Sequence, residues 1–315
     1  MTRDAASLIE GARAGRVRDV ARMISLVEDG GPEVPALMQA LAEVPGRARV
    51  IGITGSPGVG KSTTTAALIA ALRRRDDRVA VLAVDPSSPF SGGALLGDRI
   101  RMQGHATDPR VFIRSMATRG HLGGLAATTA QVMRVLDAAG FNTVLMETVG
   151  VGQSEIEVAQ AADTTLVLVA PGMGDGIQAA KAGILEVGDV LVVNKADREG
   201  ADRTVRDLQG MLAMAVRPPT AWTPPIVRTV ATSNRGIDDL LTAIDEHGEW
   251  LVESGAGHLR RVRRARAEIE ALALTLLRKR LDQAGAGTAL DRSAEEVSAG
   301  RLDAFTAAGR VVDSI

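Results

Sequence analysis

An α/β fold, with a mostly parallel sheet flanked by helices, is predicted by three features of this 315-residue chain. From Arg49 onward, short β-branched runs alternate with longer helix-like stretches, as strands joined by crossover helices require. Several of these runs are apolar almost throughout, which suits strands covered on both faces. The segment Gly55-Ser56-Pro57-Gly58-Val59-Gly60-Lys61-Ser62 joins an apolar run, Val50–Thr54, to a helix-like segment, Thr63 to Leu72. Strand, glycine-rich loop and helix in that order form the setting in which a backbone wraps phosphate.

The elements follow in order. Over residues 1–48 the apolar positions Leu8 and Ile9, then Val17, Val20, Ile24 and Val27, then Val34, Leu37, Met38 and Leu41 recur at helical spacing. Gly30-Gly31-Pro32 breaks the run and Pro45-Gly46 ends it, which predicts a small N-terminal helical cap. Residues 49–250 are expected to form the sheet domain. Its strands are read at Val50–Thr54, Val79–Val84, Val111–Arg114, Thr143–Glu147, Thr165–Ala170, Val190–Asn194 and Ile226–Val230. Residues 251–315 are expected to be a helical extension. There Val262, Ala265, Ile269, Leu272 and Leu276 alternate at spacings of three and four, a coiled-coil-like seam on one long helix. We read the seam as a dimerisation arm, with Arg260, Arg261, Arg263, Arg264 and Arg266 on its solvated face. Ser293-Ala294-Glu295-Glu296 fits a capping box opening a last helix, with Val297, Leu302 and Phe305 as its apolar face.

Composition removes several classes of function. The net charge of −1 offers no overall attraction to nucleic acid or anionic lipid, and with 2% aromatics and no Tyr there is little to stack on bases. Cysteine is absent, so disulfides, thiolate metal sites and Cys nucleophiles are excluded. His105, His121, His247 and His258 are too widely spaced for a metal motif and read as surface or hydrogen-bonded residues. Met1-Thr2-Arg3-Asp4 does not open a signal peptide, and no apolar run would span a bilayer, so a cytoplasmic protein is expected.

The Gly55–Ser62 segment is a complete G-x-x-x-x-G-K-S phosphate loop. Its glycines let backbone N–H groups from Gly55 through Thr63 turn toward phosphate oxygens, aided by the positive end of the following helix. Lys61 reaches the β- and γ-phosphates, and the Ser62 hydroxyl suits magnesium. The second strong signal is Asn194-Lys195-Ala196-Asp197, at the end of an apolar strand. Guanine presents an N1–H beside an N2 amino group, and one carboxylate, Asp197, accepts both; adenine has neither donor there. The Asn194 side chain can serve the base edge and the Lys195 stem can lie over its face. Ala231-Thr232-Ser233, with Asn234 following, is a weaker candidate for contact with the guanine carbonyl.

Between these anchors, Asp85, Asp98 and Glu147 are the carboxylates expected to serve magnesium or the hydrolytic water, directly or through water. Asp85 could instead cap a helix before Pro86, and Asp98 could pair with Arg101. Glu147 ends a buried strand and needs a partner. Gly150 is expected to bring its backbone N–H to the γ-phosphate, which would make its loop a sensor of hydrolysis. Two glycine-rich segments, Arg119–Gly124 and Pro171–Gly176, are candidate moving parts.

Taken together, the Gly55–Ser62 loop, Val84-Asp85-Pro86-Ser87-Ser88, Gly92 through Met102, Glu147 through Glu155 and Asn194–Asp197 closely resemble the MeaB/ArgK-type GTPases. These proteins chaperone adenosylcobalamin-dependent methylmalonyl-CoA mutase. The resemblance covers roughly Arg49 to Gly236. It implies a homodimeric P-loop GTPase using GTP, GDP and Mg2+, which gates loading of cobalamin onto a mutase and protects or reactivates that enzyme. By family analogy Lys61, Ser62, Asp85, Asp98 and Glu147 serve phosphate, magnesium and the hydrolytic water, and Pro171–Lys181 is an additional switch. The chain has no D-x-H-x-x-G string, so the mutase is expected to be a separate polypeptide. Two alternatives compete. A nickel- or zinc-delivery GTPase would want Cys or His clusters that this chain lacks. A kinase of transport-system binding proteins would need a protein hydroxyl as acceptor, and nothing in the sequence identifies one.

Overall fold

A computed structural model describes residues 5–44, 48–86, 107–118, 124–148, 153–172, 187–215, 218, 220–283 and 286–313. Its centre is a seven-stranded sheet in the order β3-β2-β4-β1-β5-β6-β7. The strands are β1 (Arg49–Thr54), β2 (Val79–Pro86), β3 (Val111–Thr118), β4 (Thr143–Thr148), β5 (Thr164–Val169), β6 (Val190–Val193) and β7 (Ile226–Arg228). Every pairing is parallel. Each run read as a strand is one, displaced at its ends by at most a few residues. The reason is burial: β4 and β5 are enclosed along their whole length, so their central residues are apolar on both faces and polar side chains are confined to the strand ends.

Helices cover both faces. Against one lie α4 (Lys61–Arg74) and α8 (Ile237–Glu253), whose Leu68, Ile69, Leu72, Leu240 and Ile244 meet Ile51, Ile53, Leu145 and Leu166. Against the other lie α5 (Gly124–Ala138) and α6 (Gln153–Ala161), with α7 (Ala201–Met214) over β5 and β6. The N-terminal helices α1 (Ala5–Arg13), α2 (Val17–Asp29) and α3 (Val34–Ala42) pack onto this second face. They are more than a cap, because Met23, Ile24 and Leu37 are buried in the same core as Phe112 and Met146. Gly30 ends α2 in the left-handed region, φ 65°, the turn a residue with Cβ adopts poorly. An ion pair from Arg114 of β3 to Glu28 ties α2 to the sheet.

The extension contains α9 (Ala256–Gln283), α10 (Ala286–Ser298) and α11 (Ala304–Asp313). At 28 residues α9 runs about 42 Å. The seam expected there is on its surface: Val262, Ile269 and Leu276 are exposed. Two expectations for this region need correction. Arg260 and Arg264 are half-buried rather than part of a solvated face. Spaced by four, they share the face of α9 that meets the amino edge of the sheet. Arg260 forms a two-pronged pair with Asp189 at 2.7 and 2.9 Å, and Arg264 pairs with Asp163 at 2.5 Å. Ser293 does not cap a helix either, since it lies inside α10. The last helix opens later, where Asp303 accepts from the Thr306 N–H at 3.0 Å, and Phe305 is exposed rather than part of an apolar face.

Asp189 is the centre of that amino-edge latch. It also accepts from the Thr165 N–H at 2.9 Å, and His247 Nε2 stands 3.3 Å away. His247 is fully enclosed, bonded to Thr164 at 2.8 Å and clustered with Trp222 and Trp250, which also touch each other. Burial alone would raise the Asp189 carboxyl, but hydrogen bonds from Arg260 and His247 outweigh it and hold it below the ordinary carboxylate range. We expect Asp189→Ala to destabilise the fold by about 3 kcal/mol, since it strands Arg260 and a buried N–H. A depressed carboxyl contributes its stability above its unfolded pKa of about 3.9, and loses it as pH falls through the folded value. The difference in urea midpoint between wild type and Asp189→Ala should therefore be full at neutral pH and shrink only below about pH 4.

Candidate phosphate-binding site

The carboxyl ends of β1, β4 and β6 bring the strong sequence signals to one edge, as open parallel sheets do. The loop after β1 wraps back on itself and hands over to α4 at Gly60. Gly55 (φ 139°) and Gly60 (φ 100°) cannot be replaced without collision. A Cβ at Gly55 would meet the Leu168 carbonyl, and one at Gly60 the Asn194 amide. No side chain caps α4, whose positive end faces the loop. The loop's middle residues, Pro57 and Gly58, are exposed, while Ser56 and Gly60 are half-buried and Val59 is enclosed.

Lys61 and Ser62 are both buried. Lys61 Nζ donates to the Gly55 carbonyl at 2.5 Å, which lays its stem along the inside of the loop. Ser62 Oγ donates to Glu147 Oε1 at 2.6 Å. That contact follows from strand alternation: Leu145 of β4 faces the α4 side of the sheet, so Glu147, two residues on, faces it too. Glu147 is enclosed, and its second oxygen, Oε2, accepts from Thr65 Oγ1 at 2.8 Å. Sequence reading singled out Ser62 and Glu147 but missed Thr65. Its signal was position: it follows Ser62 by three on α4, on the same face of the helix.

A serine hydroxyl beside a carboxylate is a hard-oxygen pair, the chemistry magnesium prefers, and a few protein ligands plus water suffice for it. Among the described residues no three His, Asp or Glu side chains converge into an all-protein metal cage. Asp85 stands at the carboxyl end of β2, paired in register with Ala117, and β2 neighbours β4, where Ala83 pairs with Glu147. The Asp85 side chain, and all of Asp98 and Gly150, lie outside the described residues, as do Arg119–Gly123 and residues 173–181 of the two glycine-rich segments.

Asn194 and Lys195 follow β6 directly and lie beside the phosphate loop. Lys195 adopts the left-handed conformation, φ 57°, and its Nζ donates to the Gly58 carbonyl at 2.6 Å. Asn194 is buried. Its Nδ2 donates to the Val59 carbonyl at 2.9 Å, and its Oδ1 accepts from Thr229 Oγ1 at 3.1 Å and the Ala231 N–H at 3.2 Å. Asn194 is thereby a strut between the phosphate loop and the turn after β7. Thr229 is a second residue that sequence reading missed. Asp197 is exposed and forms no ion pair among the described residues, which leaves its carboxylate open to a base. In the short turn Ala231–Ser233 the Ala231 N–H is committed to Asn194, the Ser233 N–H to Val230 and the Asn234 N–H to Ala231. Direct backbone contact with a guanine carbonyl from these three amides would require breaking those bonds. Ser233 and Asn234 are exposed, and the Ser233 hydroxyl donates to the Val230 carbonyl at 3.2 Å.

Comparison with known proteins agrees with this geometry. The family model for the methylmalonyl-CoA mutase-associated GTPase MeaB matches residues 20–286. A Pyrococcus abyssi protein named as a GTPase is 43% identical over 312 residues, covering 98% of this chain and 96% of its own. The Escherichia coli GTPase ArgK is 38% identical over 257 residues, covering 79% of this chain and 78% of its own. Among solved structures, one titled as a LAO/AO transport system kinase superposes with a TM-score of 0.69 at 28% identity, covering 98% of this chain and 96% of that one.

Proposed function

Since the chain belongs to the MeaB family of methylmalonyl-CoA mutase-associated GTPases, we propose that it couples GTP hydrolysis to the loading and protection of an adenosylcobalamin-dependent acyl-CoA mutase. The observation that carries this reading is the single edge that holds phosphate loop, Glu147 and Asn194–Asp197 together, within a family described by its mutase. GTP would lie with its phosphates in the Gly55–Ser62 loop and its base against Asp197. Ser62 and Glu147 would hold Mg2+, with Asp85 and Asp98 beside them, and the ion would neutralise charge between the β- and γ-phosphates. Lys61, freed from the Gly55 carbonyl, would follow the charge that spreads over the γ-phosphoryl oxygens as water attacks in line. Gly150 and the Pro171–Lys181 segment would report nucleotide state to the mutase.

The exposed seam Val262, Ile269 and Leu276 on α9 supports a homodimer, because equal apolar stripes at heptad-like spacing are self-complementary. Ile269→Glu is expected to shift the mass measured by light scattering from dimer to monomer; a wild-type monomer at micromolar concentration rejects the arm.

The function is tested by reconstitution with the adenosylcobalamin-dependent mutase of the same organism. The mutase should co-purify with the chain in the presence of a non-hydrolysable GTP analogue, raise GTP turnover, and keep its activity longer. Absence of all three effects overturns the proposal. Label from the γ-phosphate should appear only as free phosphate; its transfer to a binding protein would favour the kinase activity named for the solved relative.

A further inference from the structure

We propose that Thr65 is a positioning residue for GTP hydrolysis, holding one oxygen of Glu147 so that the other is presented at Ser62. The phosphate-loop motif ends at Ser62, and nothing in it calls for a hydroxyl three residues later. The geometry does. Ser62 and Thr65 lie on one face of α4, about one turn apart, and take one carboxylate oxygen each, at 2.6 and 2.8 Å. Both hydroxyls and the carboxylate are buried, so water does not compete for these bonds.

Thr65 Oγ1 also lies 3.0 Å from the Lys61 carbonyl, but a hydroxyl has a single proton. The carboxylate is the closer acceptor and the charged one, so the proton goes to Glu147 and the carbonyl takes a minor share. Two hydroxyls on one rigid helix then set both the position and the plane of the carboxylate. Without Thr65, the Oε2 side of the carboxylate loses a hydroxyl held on the same helix as Ser62. The helix that carries Lys61 and Ser62 thereby also fixes the acid opposite them. This role rests on the proposed reading of Ser62 and Glu147 as the magnesium shell. Oxygen ligands held by such outer partners bind metal more tightly, and losing one partner typically costs about 10–100-fold in affinity.

The test measures release of fluorescent GDP against magnesium concentration, for wild type, Thr65→Val, Thr65→Ser, Glu147→Gln and the double variant Thr65→Val/Glu147→Gln. Valine keeps the shape of threonine and removes only the hydroxyl. Thr65→Val should raise the magnesium needed for half-maximal slowing of release by about 10–100-fold. Its affinity for GDP in EDTA should stay within about twofold of wild type, and serine should restore the magnesium response. Because Thr65 acts through Glu147, Thr65→Val should add nothing in the Glu147→Gln background. An unshifted magnesium requirement in Thr65→Val, alongside a shift in Glu147→Gln, overturns the role of Thr65 alone. No shift in either rejects the magnesium reading of Glu147 itself. Should the valine variant fail to fold, Thr65→Ala replaces it; an equal loss of GDP affinity in EDTA would mean that Thr65 only packs α4, and would also overturn the proposal.

Discussion

Lys61→Ala is expected to lower GTP turnover by about 10²–10³-fold, the effect of removing one preorganised donor from a developing oxyanion. Lys61 is well placed for that role before any nucleotide arrives. It is buried at the first position of α4, its ammonium 2.5 Å from the Gly55 carbonyl and 3.4 Å from that of Ser56. The loop therefore aims the charge inward, and little reorganisation remains when phosphate replaces a carbonyl. As the bond to the leaving group loosens, negative charge builds on the bridging oxygen while that of the γ-phosphoryl group is spread over its equatorial oxygens, and a fixed cation is worth most there. Alanine keeps the helix, being its best former, so the fold should survive. Single-turnover release of phosphate at saturating GTP gives the value directly. A variant that retained a tenth or more of wild-type turnover would remove Lys61 from the machinery.

Asp197→Asn is expected to have the next largest effect, and a different one: it should change which base is accepted. The carboxylate can take both the N1–H and the N2 amino group of guanine, two charge-assisted bonds worth about 1.5–3 kcal/mol each. Replacing an oxygen by an amide N–H turns one acceptor into a donor facing a donor. GTP affinity should fall by about 10²-fold or more, while xanthosine triphosphate, with a carbonyl where guanine has its amino group, should gain. The fold should not suffer, because Asp197 is exposed and Asn194 and Lys195 keep their contacts with Val59 and Gly58. Equilibrium binding of GTP, xanthosine triphosphate and ATP to both proteins decides the matter. Wild-type protein that bound or hydrolysed ATP as well as GTP would overturn the assignment.

The two largest predictions concern residues that the sequence itself singled out, because each belongs to a motif whose chemistry is local. The loop at Gly55–Ser62 needs only its own backbone and the helix behind it to make an anion site. The strands were legible for a related reason. A run enclosed on both faces has to be apolar at every position, and Val79–Val84 or Val190–Val193 announces that without reference to anything else. Asn194 shows where such reading stops. Its motif identified it, yet its role as a strut depends on the Val59 carbonyl and on Thr229, which meet it only because β6 lies between β5 and β7. The arginines of α9 show the same limit from the other side. A cluster of five basic residues reads as a solvated face, and only the packing of α9 against the sheet's amino edge turns Arg260 and Arg264 inward to Asp189 and Asp163. Ser293 failed because a capping-box spacing also occurs inside helices, where the backbone N–H groups already have partners.

By itself, then, the amino-acid sequence determined the parallel α/β architecture, the phosphate-loop motif and the family. These depend on periodicity and on contiguous segments, whose physics is set over a few residues. The tertiary structure decided which partners those residues have. It placed Thr65 on the second oxygen of Glu147, made Asn194 a brace between two loops, and fastened the long C-terminal helix through Asp189. Partners of that kind are 82, 135 and 71 positions apart in the chain. Hydrogen bonds and ion pairs form over about 3 Å of space whatever the separation in sequence, so only the folded arrangement of strands and helices could select them.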